Sequence, residues 1–269
     1  MNVICSDGKG ELTTEQCLEC ALKSPKHHPP CGFDHGFLKS LFDTEDRSEE
    51  IHVTDILGCL KRSYLGKVDR KPVHVHELIV LAMGRAVHSL VEKSDEVASS
   101  EMSLEYEFLV GTSDRVYKDG RVVDYKSTRW LMPDKLPYGK DEAQVNVYGF
   151  MLRRMGFPVT SLAIQYIDMS GPTKCRACKR TVRMYDTLRC PNCMKEVKNA
   201  HLGAVLYEVD MWNESELEWY IRDNMAKLSK ALTDKIAPEA TVGYLCGYCA
   251  HSDECLEGQK YLEKEGKSD

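Results

Sequence analysis

No run in this 269-residue sequence approaches the length of a membrane span, and its first residues lack the apolar block of a secretion signal. The expected compartment is therefore the cytoplasm. A Walker A phosphate loop is also missing, which excludes a fused ATP-driven helicase. Nor is there an excess of basic residues. The formal charge is −6, which is not the profile of a general nucleic-acid binder, so phosphate contacts must come from local patches and bound cations. Acidic residues that ligate a metal lower the formal charge without repelling substrate once the metal is in place. What is present reads as soluble and globular, with 42% hydrophobic and 29% charged residues. The length suits one large domain with small appendages. Twelve cysteines complete the picture; in a reducing compartment they argue for metal sites over disulfides.

The stretch richest in chemistry is Gly111–Thr128, GTSDRVYKDGRVVDYKST. Val122, Asp124 and Lys126 alternate with Val123 and Tyr125, so both charges project from one face of a strand. Asp119-Gly120 is a hairpin signal. A two-residue loop would put Asp114 opposite Tyr125. A three-residue loop, Lys118-Asp119-Gly120 with Gly120 in a left-handed bulge, puts Asp114 opposite Asp124, and this register is predicted. Two carboxylates so placed repel unless a cation sits between them. Their oxygens suit Mg²⁺ or Mn²⁺, which polarises a phosphodiester and lowers the pKa of a bound water. Lys126 is placed to orient that water or to steady charge on the phosphate. A solvent-facing hairpin with scattered charges is the competing interpretation of Asp-x-Lys alone.

Helices are predicted after an N-cap at Thr54 (DILGCLKRSYL), over Glu77–Ala98, over Glu142–Met155 and over Glu214–Lys235. Strands are predicted over Leu104–Tyr117, Arg121–Ser127, Ser161–Met169 and Ala204–Trp212, with a Pro/Gly loop at Trp130–Lys140. Gln144 and Tyr148, four apart, share one helix face. Glu107 either orients the metal ligands or is an exposed strand charge, and Lys61 and Arg62 face phosphate or solvent.

The cysteines fall into groups. Cys175-x-x-Cys178 and Cys190-x-x-Cys193 form two knuckles, the signature of a zinc ribbon. Around them lie Lys174, Arg176, Lys179, Arg180, Arg183, Arg189, Lys195 and Lys198 against Asp186 and Glu196, the most basic stretch of the chain, which grips DNA or is a solvated, metal-stapled surface. Cys5, Cys17, Cys20 and Cys31 could hold a second zinc and fold a segment too short and polar for its own core, with a histidine among His27, His28 and His35 as a possible substitute ligand. Cys246, Cys249 and Cys255 leave a tetrahedral site one ligand short. Cys59 is the cysteine left over, and His251 is the local competitor. Four thiolates accept zinc or an iron–sulfur cluster, and spacing does not choose between them.

Asp114 followed by Asp124-Tyr125-Lys126 resembles the core of the PD-(D/E)xK nucleases. Gln144 and Tyr148 in QVNVY resemble the Gln-x-x-x-Tyr motif of the RecB-like branch, and the cysteine layout is similar to its iron–sulfur subset. The nearest match is the fourth family of CRISPR-associated Cas exonucleases, over roughly Val53 to Cys255 apart from the 171–200 insertion. The resemblance implies a restriction-endonuclease-like α/β fold, a mixed central sheet flanked by helices. It implies His88 in GRAVH as a further metal ligand beside Asp114, Asp124 and the carbonyl of Tyr125, where a satisfied core histidine is the plain alternative. Glu92, one turn on, is a neighbour or a surface charge. It also implies Cys59 as the first ligand of a 4Fe–4S cluster completed by Cys246, Cys249 and Cys255.

The expected layout is an N-terminal zinc-binding extension at 1–45, a nuclease domain at 46–258 with an inserted zinc ribbon at 171–200, and a charged, frayed tail at 259–269. The expected function is Mg- or Mn-dependent hydrolysis of DNA, as an exonuclease on single strands or ends. DNA and CRISPR integrase proteins are the implied partners. The rivals are a nuclease of viral or recombinational repair and a non-catalytic DNA-binding adaptor with metal staples.

Overall fold

The structure, a computed structural model, describes residues 2–5, 10–23, 33–42, 50–91, 97–128, 131, 136–169, 173–182, 189–195 and 204–265; of residues 88–91 and 97 it describes the backbone alone. In chain order the elements are β1 (Asn2–Ile4), β2 (Glu11–Thr13), α1 (Thr14–Lys23), α2 (His35–Phe42), β3 (Ile51–His52), α3 (Val53–Ile56), α4 (Leu60–Val68), β4 (Val73–His74) and α5 (Val75–Val91). They continue with β5 (Val97–Tyr106), β6 (Leu109–Tyr117), β7 (Arg121–Thr128), α6 (Gly139–Arg154), β8 (Ser161–Asp168), β9 (Thr173–Lys174), β10 (Thr181–Val182), β11 (Ala204–Val209), α7 (Glu214–Asp234) and α8 (Leu256–Glu265). No helix among the described residues is long and apolar enough to cross a membrane. The chain divides into two units, Met1–Arg85 with Asp223–Asp269, and Ala86–Arg222.

The unit spanning Ala86–Arg222 is built on a mixed sheet in which β11, β8, β7 and β6 follow one another and β5 pairs with β6. The β5–β6, β6–β7 and β8–β11 pairs are antiparallel, and β7–β8 is parallel. The parallel pair requires a crossover, and α6 supplies it. Every residue of α6 from Ala143 to Leu152 is buried, so this helix has no solvent face along that stretch. Phe150, Met151 and Leu152 are fully enclosed, each burying on the order of 2 kcal/mol of transfer free energy. A Cβ at Gly149 would lie 2.8 Å from Leu162 Cδ2 on β8, so the missing side chain lets the helix approach the sheet closely. Acids in the first turn (Asp141, Glu142) and arginines in the last (Arg153, Arg154) suit the helix dipole. Asn146, almost fully buried, ties α6 to the chain after β11. Its amide donates to Asp210 O at 3.2 Å and its Oδ1 accepts the Trp212 N–H at 2.8 Å.

The other unit has a small core of its own. β1 pairs with β2 antiparallel and with β4 parallel, and Val3, Cys17, Ala21, Leu38, Leu41, Val75 and Leu78 form one buried cluster. The N-terminal segment expected to lack a core thus has one, because it recruits β4 and the first turn of α5. A second cluster joins Leu60 and Tyr64 of α4 to Leu228 and Ala231 of α7.

Several boundaries differ from expectation. The helix predicted after Thr54 is two helices, broken at Gly58 (φ +85°), so Cys59 is not mid-helix but the N-cap of α4. The long strand predicted over Leu104–Tyr117 is interrupted by a turn at Glu107-Phe108, which creates the β5–β6 hairpin. Ala98, placed in a helix, lies in β5. The tail predicted to fray from residue 259 forms α8 through Glu265.

Candidate active site

The two carboxylates are brought together by a turn. Arg115 pairs with Val123 and Val116 with Val122, so Asp114 and Asp124 face each other at the next position. The loop between the strands is Lys118-Asp119-Gly120, with Gly120 at φ +87° and its N–H donating to Tyr117 O at 3.0 Å. A Cβ at Gly120 would lie 2.2 Å from the Pro158 carbonyl oxygen. Only glycine fits there, and the three-residue register follows. At the acid position Asp114 Oδ2 accepts the backbone N–H of Tyr125 at 2.7 Å.

Asp124 is 1% exposed. Its Oδ2 pairs with Lys126 Nζ at 2.7 Å, while its Oδ1 is buried without a hydrogen-bond partner. Burial pushes the Asp124 carboxyl up to about 6; Lys126 opposes the shift, and Asp114 and Asp141 add to it. Burial disfavours the charge on Lys126, but Asp124 outweighs it and holds the ammonium above the ordinary lysine range. The same Nζ donates to Gln144 Oε1 at 3.1 Å, and Gln144 Nε2 donates to Tyr148 Oη at 2.8 Å. Burial, with the Asp124 charge second, pushes the Tyr148 hydroxyl up to about 12. Asp124, Lys126, Gln144 and Tyr148 therefore form one chain of polar contacts, built from two residues of β7 and two of α6.

A residue absent from the sequence reading joins them. Asp141, three positions before Gln144 on α6, accepts the Tyr166 hydroxyl at 3.0 Å, and its charge acts on both Asp124 and Lys126. In the sequence it passes for an ordinary first-turn acid; its i,i+3 relation to Gln144 was the available signal. Glu107 is not part of the group: it sits in the β5–β6 turn at φ +55° and pairs with Arg222 at 2.7 Å. His88 is on the backbone of α5, its side chain outside what is described, and Glu92 lies outside the described residues.

The orphaned Asp124 oxygen beside a second carboxylate is the donor set a hard divalent cation takes, and the residues fit such an ion. The thiol groups divide differently. Cys175 Sγ is 3.8 Å from Cys193 Sγ and Cys178 Sγ is 3.6 Å from Cys190 Sγ, with all four within 4.8 Å of one another. Tetrahedral zinc with bonds of about 2.3 Å separates its sulfurs by about 3.8 Å, so this set fits zinc. Cys59, Cys246, Cys249 and Cys255 are not packed so tightly, since no three of them meet that 4.8 Å limit. A four-iron cubane holds its thiolates farther apart than one ion does. A Cβ at Gly258 would lie 3.5 Å from Cys255 Sγ and 3.7 Å from Cys246 Sγ, so the start of α8 closes over two of these thiols. His251, the competing ligand, groups instead with Asp69 and Glu254. Lys61, partly exposed, pairs with Glu257 at 3.0 Å. The N-terminal zinc set is not assembled among the described residues. Cys17 is buried in the apolar cluster, Cys5, Cys17 and Cys20 form no convergent trio, and Cys31 lies outside the description.

The sequence profile of the PD-(D/E)XK nuclease superfamily matches residues 35–256. The chain belongs to this superfamily. As a PD-(D/E)XK nuclease it joins enzymes that use divalent metals. No curated protein matches the chain. Among solved structures it is similar to SSO0001 (TM-score 0.49, 13% identity, 91% of this chain and 96% of that one). It is also similar to a phage-related exonuclease from Haemophilus somnus 129PT (TM-score 0.31, 13% identity, 65% and 71%). A third is an alkaline exonuclease from Laribacter hongkongensis (TM-score 0.39, 9% identity, 72% and 94%).

Proposed function

We propose that this PD-(D/E)XK nuclease is a Mg²⁺- or Mn²⁺-dependent DNA exonuclease that works on single strands or ends, akin to the Cas exonucleases of the fourth family. The observation that carries the reading is the Asp114–Asp124 pair, two carboxylates brought to one sheet position, Asp124 with a buried, unpartnered oxygen and a lysine at hand. Asp114 and Asp124 hold the cation, with His88 and the carbonyl of Tyr125 completing its ligands. The bound metal supplies Lewis-acid polarisation of the phosphodiester and a more acidic water. Lys126 positions that water and steadies phosphate charge, Gln144 fixes the ammonium, and Tyr148 fixes Gln144.

Cys59, Cys246, Cys249 and Cys255 hold a 4Fe–4S cluster that staples the start of α4 to the C-terminal turns, and Cys175, Cys178, Cys190 and Cys193 hold zinc. The wider second set and the closely packed first set support that partition. The decisive test is hydrolysis of end-labelled single-stranded DNA with Mn²⁺ by an Asp124→Asn protein. Cleavage should vanish while oligonucleotide binding and a cooperative melt persist; undiminished cleavage would falsify the assignment.

A further inference from the structure

The cations of this acidic chain are not spread evenly. The whole carries −6, yet residues 171–200 carry eight Lys and Arg against two carboxylates, which leaves −12 for the rest. Segregation of this kind is an electrostatic footprint.

The structure shows how the segregated charge is displayed. The two cysteine knuckles repeat one geometry. In the first, Cys175 N–H donates to Arg180 O at 2.9 Å and Lys179 N–H to Cys175 O at 2.8 Å; in the second, Cys190 N–H donates to Lys195 O at 2.9 Å and Met194 N–H to Cys190 O at 2.8 Å. Lys179 and Met194, at equivalent places, both adopt positive φ, +62° and +58°. The repeat sets cations in pairs: Lys174 and Arg189 each precede a first cysteine, and Arg180 and Lys195 each follow the left-handed residue. These four are exposed, as are Arg176 and Lys179. A zinc tetrathiolate carries two negative charges, so neutralising the metal site uses only part of this set and leaves four positive charges in surplus.

The chain enters this basic segment from the end of β8 that lies beyond the acid pair. β8 runs parallel to β7, with Ile164 beside Asp124 and Asp168 beside Thr128. The chain leaves the sheet after Asp168 to build the knuckles. That exit lies four residues beyond the Asp124 position, roughly 13 Å along the strand. We propose that the paired knuckles form a phosphate-binding surface that holds the substrate strand outside the acid pair. The placement rests on the reading of Asp114 and Asp124 as the cleavage centre. The surface itself rests on the charge.

The test uses the full chain with Lys174→Glu, Arg180→Glu, Arg189→Glu and Lys195→Glu combined. Anisotropy titrations with a labelled single-stranded 20-mer and 4-mer are run across a salt series in Ca²⁺, with zinc content measured on the same samples. For the 20-mer, the salt slope of the variant should fall by about 3, since each phosphate contact on a single strand contributes about 0.7. The affinity advantage of the 20-mer over the 4-mer should collapse. An unchanged slope and length preference with zinc retained overturns the proposal and leaves the cations to an acidic protein surface. If charge reversal releases zinc, the corresponding glutamine set decides by the same slope. Asp124→Asn is titrated alongside. Its cleavage assay, and not its salt slope, judges the nuclease centre separately.

Discussion

Gln144 Nε2 donates to Tyr148 Oη across 2.8 Å, one turn along α6, and this contact fixes which end of the Gln144 amide faces Lys126. With the hydroxyl held as acceptor, the amide oxygen is left to receive the lysine ammonium. Tyr148→Phe should therefore lower DNA hydrolysis without removing any group that touches Lys126. It leaves a buried amide donor unpaired, a cost of about 1–3 kcal/mol in stability. Gln144→Ala should lower hydrolysis further at unchanged Mn²⁺ affinity. Thermal melts, metal titrations and steady-state cleavage of the two variants check this order.

The buried Asp124 gives the metal-free protein a pH signature. Its folded pKa is raised, from an ordinary 3.8 to about 6. The folded state therefore binds the proton more tightly than the unfolded chain does. The stabilisation is complete below about pH 4 and is lost as pH rises through about 6, on the order of 3 kcal/mol in all. Asp124→Asn should flatten that decline in urea titrations. Mn²⁺ binding competes with the same proton, so affinity should weaken about tenfold per unit below pH 6.

Gly120→Ala should be among the most damaging single changes in the hairpin. The added Cβ meets the Pro158 carbonyl at 2.2 Å, and the backbone there is left-handed. A loss of about 2 kcal/mol or more is expected, together with loss of cleavage as the β6–β7 register yields. Gly258→Ala should be milder, because its closest contacts, 3.5 and 3.7 Å to the two sulfurs, are ordinary packing distances. Melting temperatures of the pair make the comparison.

Anaerobic purification followed by metal and sulfide analysis should give four iron and one zinc per chain. Cys175→Ser should remove the zinc and leave the iron, and Cys246→Ser the reverse. Zinc in both sites would end the cluster assignment.

Much of the site was legible because it depends on local rules. Strand alternation put Asp124 and Lys126 on one face, Asp119-Gly120 marked the turn, and a four-residue spacing paired Gln144 with Tyr148. The misreadings concern features that only tertiary context decides. The helix predicted after Thr54 breaks at Gly58, whose positive φ ends one helix just before Cys59 caps the next. The β5–β6 turn uses Glu107 in a left-handed conformation with no Gly or Asn to announce it, held by Arg222 from α7. Asp141 acquires its role from Tyr166, a residue 25 positions away.

The tight seat of Gly149 against Leu162 reaches beyond packing. That one missing methyl governs how low α6 rides over the strands, and Gln144 and Tyr148 ride with it. A bulkier residue there would lift both hydrogen-bonding partners away from the lysine without touching either. Random mutagenesis scored for lost cleavage should consequently return hits deep in an apolar layer, remote from anything a nucleic acid could reach.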